Sequence, residues 1–533
     1  MFTLPLAPTD DQAKPAFINP AALTQWLAQL QLTNLHAAHH TLRMQLDEFN
    51  RFPMNALERL NTLELLRETV AIVQADYARK IIAKKLPLSS DEFAIFLALI
   101  ELWQGMLNGY RRCLQAFMDD DKQMARQGPL LCNRCLLYGS LQIFEYLRNG
   151  YEFDGALWQS LHELYSFTEG NGLQHDKIKD AVHAQGHSLS CHALYAKMLL
   201  ICHANPAELS RAQLQLLDRW LTLWGDIIMI ERRYSVSRGD APPLALDLGG
   251  AHGLQALEQV TQSDKLRFLA MVPLSKLLRV KTILLQQGQS PLQLELGSDF
   301  YGIDCVAFLN LLHHFWCEGL SARLIDRRNV AITAQVGFGI DLIYAYVAGK
   351  PFKSSRAEIE TVARKQLETL GRTLSEPVRP TQSHFEPWHM ENENILGTRL
   401  LRDAQEGERI GLNQLVAVRP ADANAYILGT VKWRSVTRGG QLHVGVHYLP
   451  GVAQAVTLTA TGVGATPSRQ ALALLLPAIP AQKIPASLIV PRDVFEADRA
   501  FELIHENNEK LAIRMGFSVA TGADFERVSF IHL

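Results

Sequence analysis

The chain of 533 residues is too long for a single hydrophobic core, and its length predicts about three or four domains. A hydrophobic content of 48% with a charged content of 20% excludes a largely disordered protein. Because the formal net charge is −2, the chain as a whole has no attraction for nucleic-acid polymers or an acidic membrane, and we predict no nucleic-acid partner.

The sequence also favours a cytoplasmic location. The first 20 residues carry neither a basic start nor the apolar core of a secretory signal. We find no apolar run of about 18 residues or more, which is what a membrane-spanning helix requires. The 7 cysteines are an odd number, and several lie within apolar helical patterns, as is typical of reduced thiols. We therefore expect no membrane span and no disulfide framework.

The first ~235 residues have the apolar periodicity of helices. Between Asn55 and Lys85, apolar residues recur at spacings of three and four, which predicts a long amphipathic helix. Ser89 followed by Glu92 predicts a cap for the next helix. The further predicted helices are Leu130–Arg148, Gly155–Thr168, Ser188–His203 and Glu208–Arg233. Such an array, an α-solenoid or a bundle over residues 1–235, is more typical of a docking surface than of a catalyst.

Residues 236–318 form a mixed, mostly helical connecting region in this prediction. A short strand-like run, Leu244–Gly250, ends in glycines that are typical of a turn. Asp264–Gln287 and Phe300–Cys317 have helical patterns. We interpret the basic residues between Asp264 and Lys281 as a solvated helix face.

Two constellations suggest metal chemistry. Cys132 and Cys135 have the spacing of half a zinc site or a redox pair, but a structural zinc site needs four ligands and the chain has no second pair of this spacing. His183 and His187 have the spacing of one helical turn, although Gly186 weakens a regular helix there. We predict buried thiols and no metal site, no cofactor and no catalytic residues. A metal-dependent protein that uses the histidines remains an alternative.

Residues 391–449 have the strongest β pattern. Strands are predicted at Leu415–Val418, Tyr426–Val436 and Leu442–Leu449, and the last of these alternates apolar and polar residues. A short polar turn that contains Asn392, Asn394 and Gly397 leads into an apolar run ahead of these strands. We expect a small antiparallel barrel or sandwich.

The entrance to this β region resembles the ligand-binding motif of PilZ domains, which are bacterial receptors for cyclic di-GMP. The family motif is Asp or Asn, any residue, Ser, any two residues, then Gly. Asn392, Asn394 and Gly397 stand at the three fixed places, with Asn394 in place of the Ser. The resemblance covers about a quarter of the chain and implies a PilZ-like β-barrel.

PilZ domains also carry two arginines four apart ahead of their first strand. Arg323 and Arg327, with Arg328 adjoining, are similar to this pair and precede a strand-like run, Asn329–Val336. Because 65 positions separate Arg327 from Asn392, the resemblance requires an insertion, which we predict to be helical, near residues 340–374.

The chemistry of these residue types suits a cyclic dinucleotide, which offers two phosphates and two guanines. A guanidinium group forks onto phosphate or guanine edges and stacks on purines. The resemblance implies that Arg323, Arg327 and Arg328 hold phosphate and guanine, and that Asn392 and Asn394 contact the second face of the ligand. Gly397 would supply positive φ or a close approach to the ligand.

The tail keeps a β character. Its predicted strands are Ala455–Ala460, Ala486–Val490, Ala512–Ser518 and Asp524–His532. These strands either complete the first barrel or build a second one. The predicted fold class is α+β multidomain: a helical array (1–235), the connecting region (236–318), a PilZ-like antiparallel β-barrel with its helical insertion (319–455) and a β-rich segment (456–533).

We therefore expect a cytoplasmic bacterial signalling protein, not an enzyme, that binds cyclic di-GMP and relays it through the helical region to an unidentified protein partner. The alternative is a ligand-free interaction scaffold in which the β-domain is degenerate and only architectural.

Overall fold

The computed structural model describes residues 2–82, 84–235, 237, 239–297, 303–318, 328–349, 385–461 and 470–533. The chain divides into two compact units. The first comprises Met1–Lys84 and Leu88–Leu324, and the second comprises Lys85–Pro87 and Ile325–Leu533. We call them the helical unit and the barrel unit.

The helical unit begins with a series of α-helices. These are α1 (Pro20–Leu27), α2 (Leu35–Arg51), α3 (Ala56–Ala78), α4 (Ser90–Met118), α5 (Gly128–Asn149), α6 (Gly155–Gly170), α7 (Cys191–His203), α8 (Arg211–Leu223), α9 (Val272–Gln286) and α10 (Cys305–Cys317). Buried side chains from each of these helices meet in one core cluster around large aromatics such as Tyr110, Tyr138, Tyr195 and Trp220. Burial of these rings supplies much of the hydrophobic stabilisation of the unit.

Local sequence explains where these helices start. Ser89 accepts a hydrogen bond from the Glu92 backbone while the Glu92 side chain accepts one from the Ser89 backbone, so the predicted cap of α4 is a complete capping box. Ser210 and Gln213 form a second capping box at α8. The sequence also explains where α5 ends. Its C-cap residue, Gly150, adopts a φ of 71°, the left-handed conformation that terminates helices.

One described helix, α4, is long and apolar enough to cross a membrane by length and composition. In this structure α4 packs within the helical unit, where Leu99, Leu102, Met106 and Leu114 are buried against protein. A core helix of a folded domain passes the same compositional test, so the observation is weak evidence for a span.

The helical unit also contains two small β-sheets, which the sequence patterns only partly predict. Strands β1 (Ile178–Lys179) and β2 (Ser188–Leu189) form a short hairpin, and β3 (Met229–Glu231), β4 (Leu244–Asp247) and β5 (Leu266–Ala270) form a sheet in the order β3-β5-β4. The predicted helix Glu208–Arg233 was wrong beyond α8, and the predicted helix Asp264–Gln287 was wrong before α9. In both places a short apolar segment pairs as a strand, and three- to five-residue strands carry little periodic signal.

The barrel unit begins with a closed six-stranded barrel. Its strands are β6 (Arg328–Phe338), β7 (Glu386–Asn394), β8 (Gly397–Asp403), β9 (Leu415–Pro420), β10 (Ile427–Val436) and β11 (Gln441–Tyr448). They pair antiparallel around the ring in the order β10-β11-β8-β7-β6-β9. The alternation predicted for β11 is confirmed, because Leu442, Val444 and Val446 are buried.

The tail forms its own closed barrel rather than completing the first. Its strands are β12 (Gln454–Ala460), β13 (Gln470–Leu476), β14 (Ser487–Val490), β15 (Ala500–His505), β16 (Lys510–Thr521) and β17 (Glu526–His532), paired in the order β12-β13-β14-β17-β16-β15. Four of the six were predicted; β13 and β15 were missed. Because both rings close, each described strand of the two barrels is paired on both edges.

The two barrels share an apolar core within their unit. Strand β9 is buried on both faces along Leu415–Val418, because one face fills the first barrel while Leu415 and Ala417 pack in a cluster with Leu474 of the second. Helix α11 (Ile340–Val347) follows β6 and adds Ile343 and Tyr344 to this cluster. The predicted insertion is thus helical where it begins, and residues 350–384 lie outside the described residues.

The α+β multidomain prediction is confirmed, with helices first and antiparallel barrels after them. The finer division at residues 235, 318 and 455 stays a prediction.

Candidate ligand-binding site

The barrel unit contains a cleft of about 1070 Å³ that residues of both barrels line. This volume is slightly above the roughly 300–1,000 Å³ typical of small-molecule sites. The first barrel contributes Arg328, Glu393, Asn394, Ile395, Leu396 and Tyr448 among its lining residues, and the second contributes Ile479, Gln482, Ile484 and Arg527. We call this feature the inter-barrel cleft.

Arg328 is the described member of the predicted arginine set. It was predicted to lie just ahead of a strand and is in fact the first residue of β6; it is exposed and lines the inter-barrel cleft. Its Cα pairs with that of Glu393 on β7, which fixes the end of β6 beside the predicted Asn motif. Arg323 and Arg327 lie outside the described residues.

Asn394 forms the turn that joins β7 to β8. Its side-chain Oδ1 accepts hydrogen bonds from the backbone nitrogens of Leu396 and Gly397, both at 3.0 Å. The turn predicted for the Asn392–Gly397 motif lies at Ile395–Leu396, and the residues Glu391–Asn394 belong to the end of strand β7. The motif is therefore a tight hairpin whose apolar tip is exposed, by 72% at Ile395 and 50% at Leu396.

Gly397 has a structural role that the motif did not indicate. Its φ lies outside the left-handed region, so positive φ is not why glycine stands there. A Cβ at this position would overlap the carbonyl oxygen of Val446 on the neighbouring strand β11. The close approach is therefore to the adjacent strand, and Gly397 is not among the described residues that line the cleft.

Asn392 also serves the hairpin in this structure. Its carbonyl oxygen accepts a hydrogen bond from the Thr398 hydroxyl at 2.8 Å, and its Cα pairs with Arg399 on β8. Arg399 in turn forms an ion pair with Glu391 at 2.9 Å and donates to Nδ1 of His443 at 2.6 Å. The structure thus brings Arg328 and Asn394 together in the cleft and leaves Asn392 and Gly397 next to it.

The carboxylate and the phenol in the cleft are paired with each other. The Tyr448 hydroxyl donates to Oε1 of Glu393 at 3.2 Å. Burial, reinforced by the Glu393 charge, raises the pKa of Tyr448 above its ordinary value, so the phenol stays protonated. The cleft therefore combines fixed hydrogen-bonding groups with apolar walls, an arrangement that suits a ligand with both charged and flat apolar parts.

Arg527 brings a second guanidinium to the cleft from strand β17. Its Nε donates to the hydroxyl of Ser487 at 2.9 Å, and Ser487 is itself buried on β14. Partial burial lowers the pKa of Arg527 from its ordinary value, but the group remains charged at neutral pH.

Several of these residues were missed from the sequence. Glu393 and Tyr448 lie within segments that the sequence singled out, but their hydrogen bond to each other depends on how strands β7 and β11 are arranged in the barrel. Ile395 and Leu396 carried a weak signal, since two exposed apolar residues at a hairpin tip are unusual. Arg527 had none, because its place depends on strand pairings in the second barrel that no local pattern specifies.

The other predicted constellations do not assemble a metal site within the described residues. Burial raises the pKa of Cys132 to about 11 and also raises that of Cys135, as expected for inert thiols inside α5. His183 and His187 lie in a turn ahead of β2, not on one helix face, and burial lowers the pKa of His183 to about 4.

Comparison with known proteins gives matches at both ends of the chain. Residues 21–233 match a family model described as "Cyclic-di-GMP receptor FimW, N-terminal domain", and residues 455–533 match one described as "FimW C-terminal beta-barrel domain". The chain is 22% identical to the cyclic-di-GMP receptor FimW of Pseudomonas aeruginosa over 570 aligned positions, which cover 97% of this chain and 91% of that protein. The second match coincides with the second barrel, whereas neither matched range contains the first barrel.

Proposed function

We propose that this protein is a cyclic di-GMP receptor that binds its ligand in the inter-barrel cleft, beside Arg328 and the Asn394 hairpin. The observation that carries the proposal is that Arg328 and Asn394, which are 66 positions apart in sequence, line one cleft. The similarity to a protein named as a cyclic-di-GMP receptor supports the choice of ligand.

The chemistry of the cleft supports the same ligand. Arg328 forms no ion pair with any described residue, so its guanidinium is available to a phosphate. The exposed Ile395 and Leu396 offer apolar surface that a purine face would cover. In this proposal Arg323 and Arg327 add charge as the PilZ resemblance implies, while Asn392 and Gly397 act by shaping the hairpin.

We further propose that the receptor works in the cytoplasm, has no catalytic activity, and passes the signal through its helical unit to a protein partner. Such a relay requires that cyclic di-GMP binds one conformation more tightly than another. The array of helices offers the kind of extended surface on which a partner docks.

Isothermal titration of the purified full-length chain with cyclic di-GMP, with GTP as the control ligand, tests the proposal. We expect binding with a Kd of about 1 μM or tighter, near −8 kcal/mol, and no heat with GTP. Arg328→Ala should weaken binding at least about tenfold with an unchanged melting temperature, as one charge-assisted contact is lost. Arg438→Ala, in the exposed β10–β11 turn, is the matched control and should bind like the wild type.

A wild-type chain that gives no heat and no thermal shift with cyclic di-GMP would refute the receptor function and leave the scaffold alternative. The relay has its own test. We expect the wild-type chain to capture a protein partner from cell extract only in the presence of cyclic di-GMP, and the Arg328→Ala variant to capture none. Capture that is unchanged both by the ligand and by the substitution would contradict the relay.

A further inference from the structure

The second barrel forms one wall of the inter-barrel cleft, although the PilZ resemblance involves only the first. Ile479, Gln482 and Ile484 come from the segment between β13 and β14, and Arg527 comes from β17. A ligand that fills the cleft would therefore contact both barrels.

Arg527 is held in a defined position on this wall. The hydrogen bond from its Nε to Ser487 fixes one edge of the guanidinium, and Ser487 is only 2% exposed. On either side of Arg527, β17 pairs with β14 through Ile489 and with β16 through Ala520. A side chain supported in this way loses little conformational entropy when it binds a ligand.

The charge of Arg527 is not neutralised by any part of the chain that the structure describes. Ser487 is its only hydrogen-bond partner there, and a hydroxyl carries no charge. Burial without a counter-charge is unfavourable, and it lowers the pKa of this arginine. An anionic ligand would remove that cost.

The first barrel also contributes an arginine without a counter-charge among the described residues. Arg328 lines the cleft from the first barrel and also lacks an ion-pair partner within the described ranges. The carboxylate of Glu393 already accepts the Tyr448 hydroxyl and pairs with neither arginine among these residues. The cleft thus carries one available guanidinium on each barrel.

We propose that Arg527 binds one phosphate of cyclic di-GMP while Arg328 binds the other, so that the ligand bridges the two barrels. This inference rests on the proposed function and deepens it. Two separate cations match a ligand whose negative charge is divided between two phosphates, and a guanidinium can contact a phosphate through two parallel hydrogen bonds. Ile395, Leu396, Ile479 and Ile484, which also line the cleft, provide apolar surface for the guanine faces.

Titration of three full-length variants with cyclic di-GMP tests the bridge. Arg527→Ala should weaken binding at least about tenfold, and Arg527→Lys should recover part of the loss because it restores the charge but not the planar fork. Arg514→Ala removes an exposed arginine from β16 of the same barrel, outside the cleft, and should change affinity by less than about twofold. Melting temperatures establish that each variant is folded; should Arg527→Ala not fold, Arg527→Lys decides, with a loss of more than about threefold expected.

Two outcomes distinguish this inference from the proposed function. Wild-type binding that Arg527→Ala and Arg527→Lys both retain within about twofold would overturn the bridge but not the receptor. Absence of binding by the wild type would overturn the proposed function and this inference with it.

Discussion

The helical unit and the inter-barrel cleft use arginine in opposite ways. In the helical unit, Arg67 and Arg134 are buried and share the carboxylate of Asp180, and Arg134 also forms a bidentate ion pair with Glu64 at 2.9 and 3.0 Å. In the cleft, Arg328 and Arg527 have no ion pair with the described residues. Paired charges inside a core are part of the fold, whereas charges left available on a concave surface can bind an anion.

Asp180 is the carboxylate that holds the buried arginines of the helical unit in place. Its Oδ1 accepts hydrogen bonds from the backbone nitrogens of Val182 and His183, while Oδ2 receives both arginines. Burial alone would raise the pKa of Asp180, but the Arg67 charge and the backbone N–H of His183 outweigh it and lower the pKa. The carboxylate is therefore ionised in the folded protein and ties the β1–β2 hairpin to α3 and α5.

The largest predicted effect comes from breaking this network. Asp180→Ala should lower the free energy of unfolding by about 3–5 kcal/mol, because it leaves buried guanidinium charge uncompensated. Urea unfolding of the full chain measures the loss. Glu502→Ala is the control: its ion pair with Lys510 is exposed on the second barrel, and we expect a change below about 1 kcal/mol. Equal losses in the two variants would contradict the structural role of the network.

The helical unit should also lose stability in mild acid. Burial lowers the pKa of His39 and of His162 to about 4, from an ordinary value of 6.5. The unfolded chain therefore binds protons at these sites before the folded chain does. Stability should fall as the pH drops from about 6.5 towards 4, by up to about 3 kcal/mol for each histidine, and should be fully present above pH 6.5.

The His162 environment provides the control for that prediction. Its Nε2 donates to the His252 carbonyl at 2.9 Å, and its Nδ1 accepts from the Tyr195 hydroxyl at 2.6 Å, so the neutral ring is fully paired. His162→Gln removes the titrating group and keeps a donor. Its unfolding free energy should depend less on pH between 6.5 and 4.5, and an unchanged slope would show that other groups govern the acid response.

A third prediction concerns the first barrel. Gly397→Ala should cost about 1–3 kcal/mol in the absence of any ligand, because the new methyl group overlaps the Val446 carbonyl and separates β8 from β11. Thermal unfolding measures the effect. Gly170→Ala is the matched control, since a Cβ there meets nothing within 4 Å. If Gly397→Ala melts like the wild type and only binding changes, the glycine belongs to the ligand site rather than to the strand pairing.

The smallest effect is expected from the support of Arg527. Ser487→Ala removes the hydrogen bond that orients the guanidinium and leaves its charge in place. We expect an affinity for cyclic di-GMP that is about three- to tenfold weaker, less than the loss for Arg527→Ala. A loss as large as that of Arg527→Ala, accompanied by a lower melting temperature, would indicate a disturbed barrel instead of a misplaced side chain.

Much of the fold was accessible from the sequence because the signals were local. The capping box at Ser89, the helical stripe of α3 and the alternation of β11 each involve residues a few positions apart. The missed elements lacked such signals. Strand β7 is rich in polar residues, and β5 is too short to show a period beside the helix that follows it.

The site was predictable only in part for the same reason. Asn394 and Arg328 were singled out by a motif, and the structure brings them to one cleft. Gly397 was predicted to approach the ligand, whereas its close neighbour is the Val446 carbonyl on β11. A sequence motif shows that a glycine is needed but not which group lies next to it. Arg527 was beyond sequence reasoning, because its position follows from pairings between strands that are far apart in the chain.

Hydrogen–deuterium exchange of the full-length protein with and without cyclic di-GMP tests the central claim most directly, since it reports where the ligand lies. We predict that the strongest protection appears in peptides covering the β7–β8 hairpin (386–403) and β17 (526–532), with little change around Arg67 and Arg134. Ligand-dependent protection that spares both the hairpin and β17 would contradict the account, because the ligand would then bind away from the inter-barrel cleft.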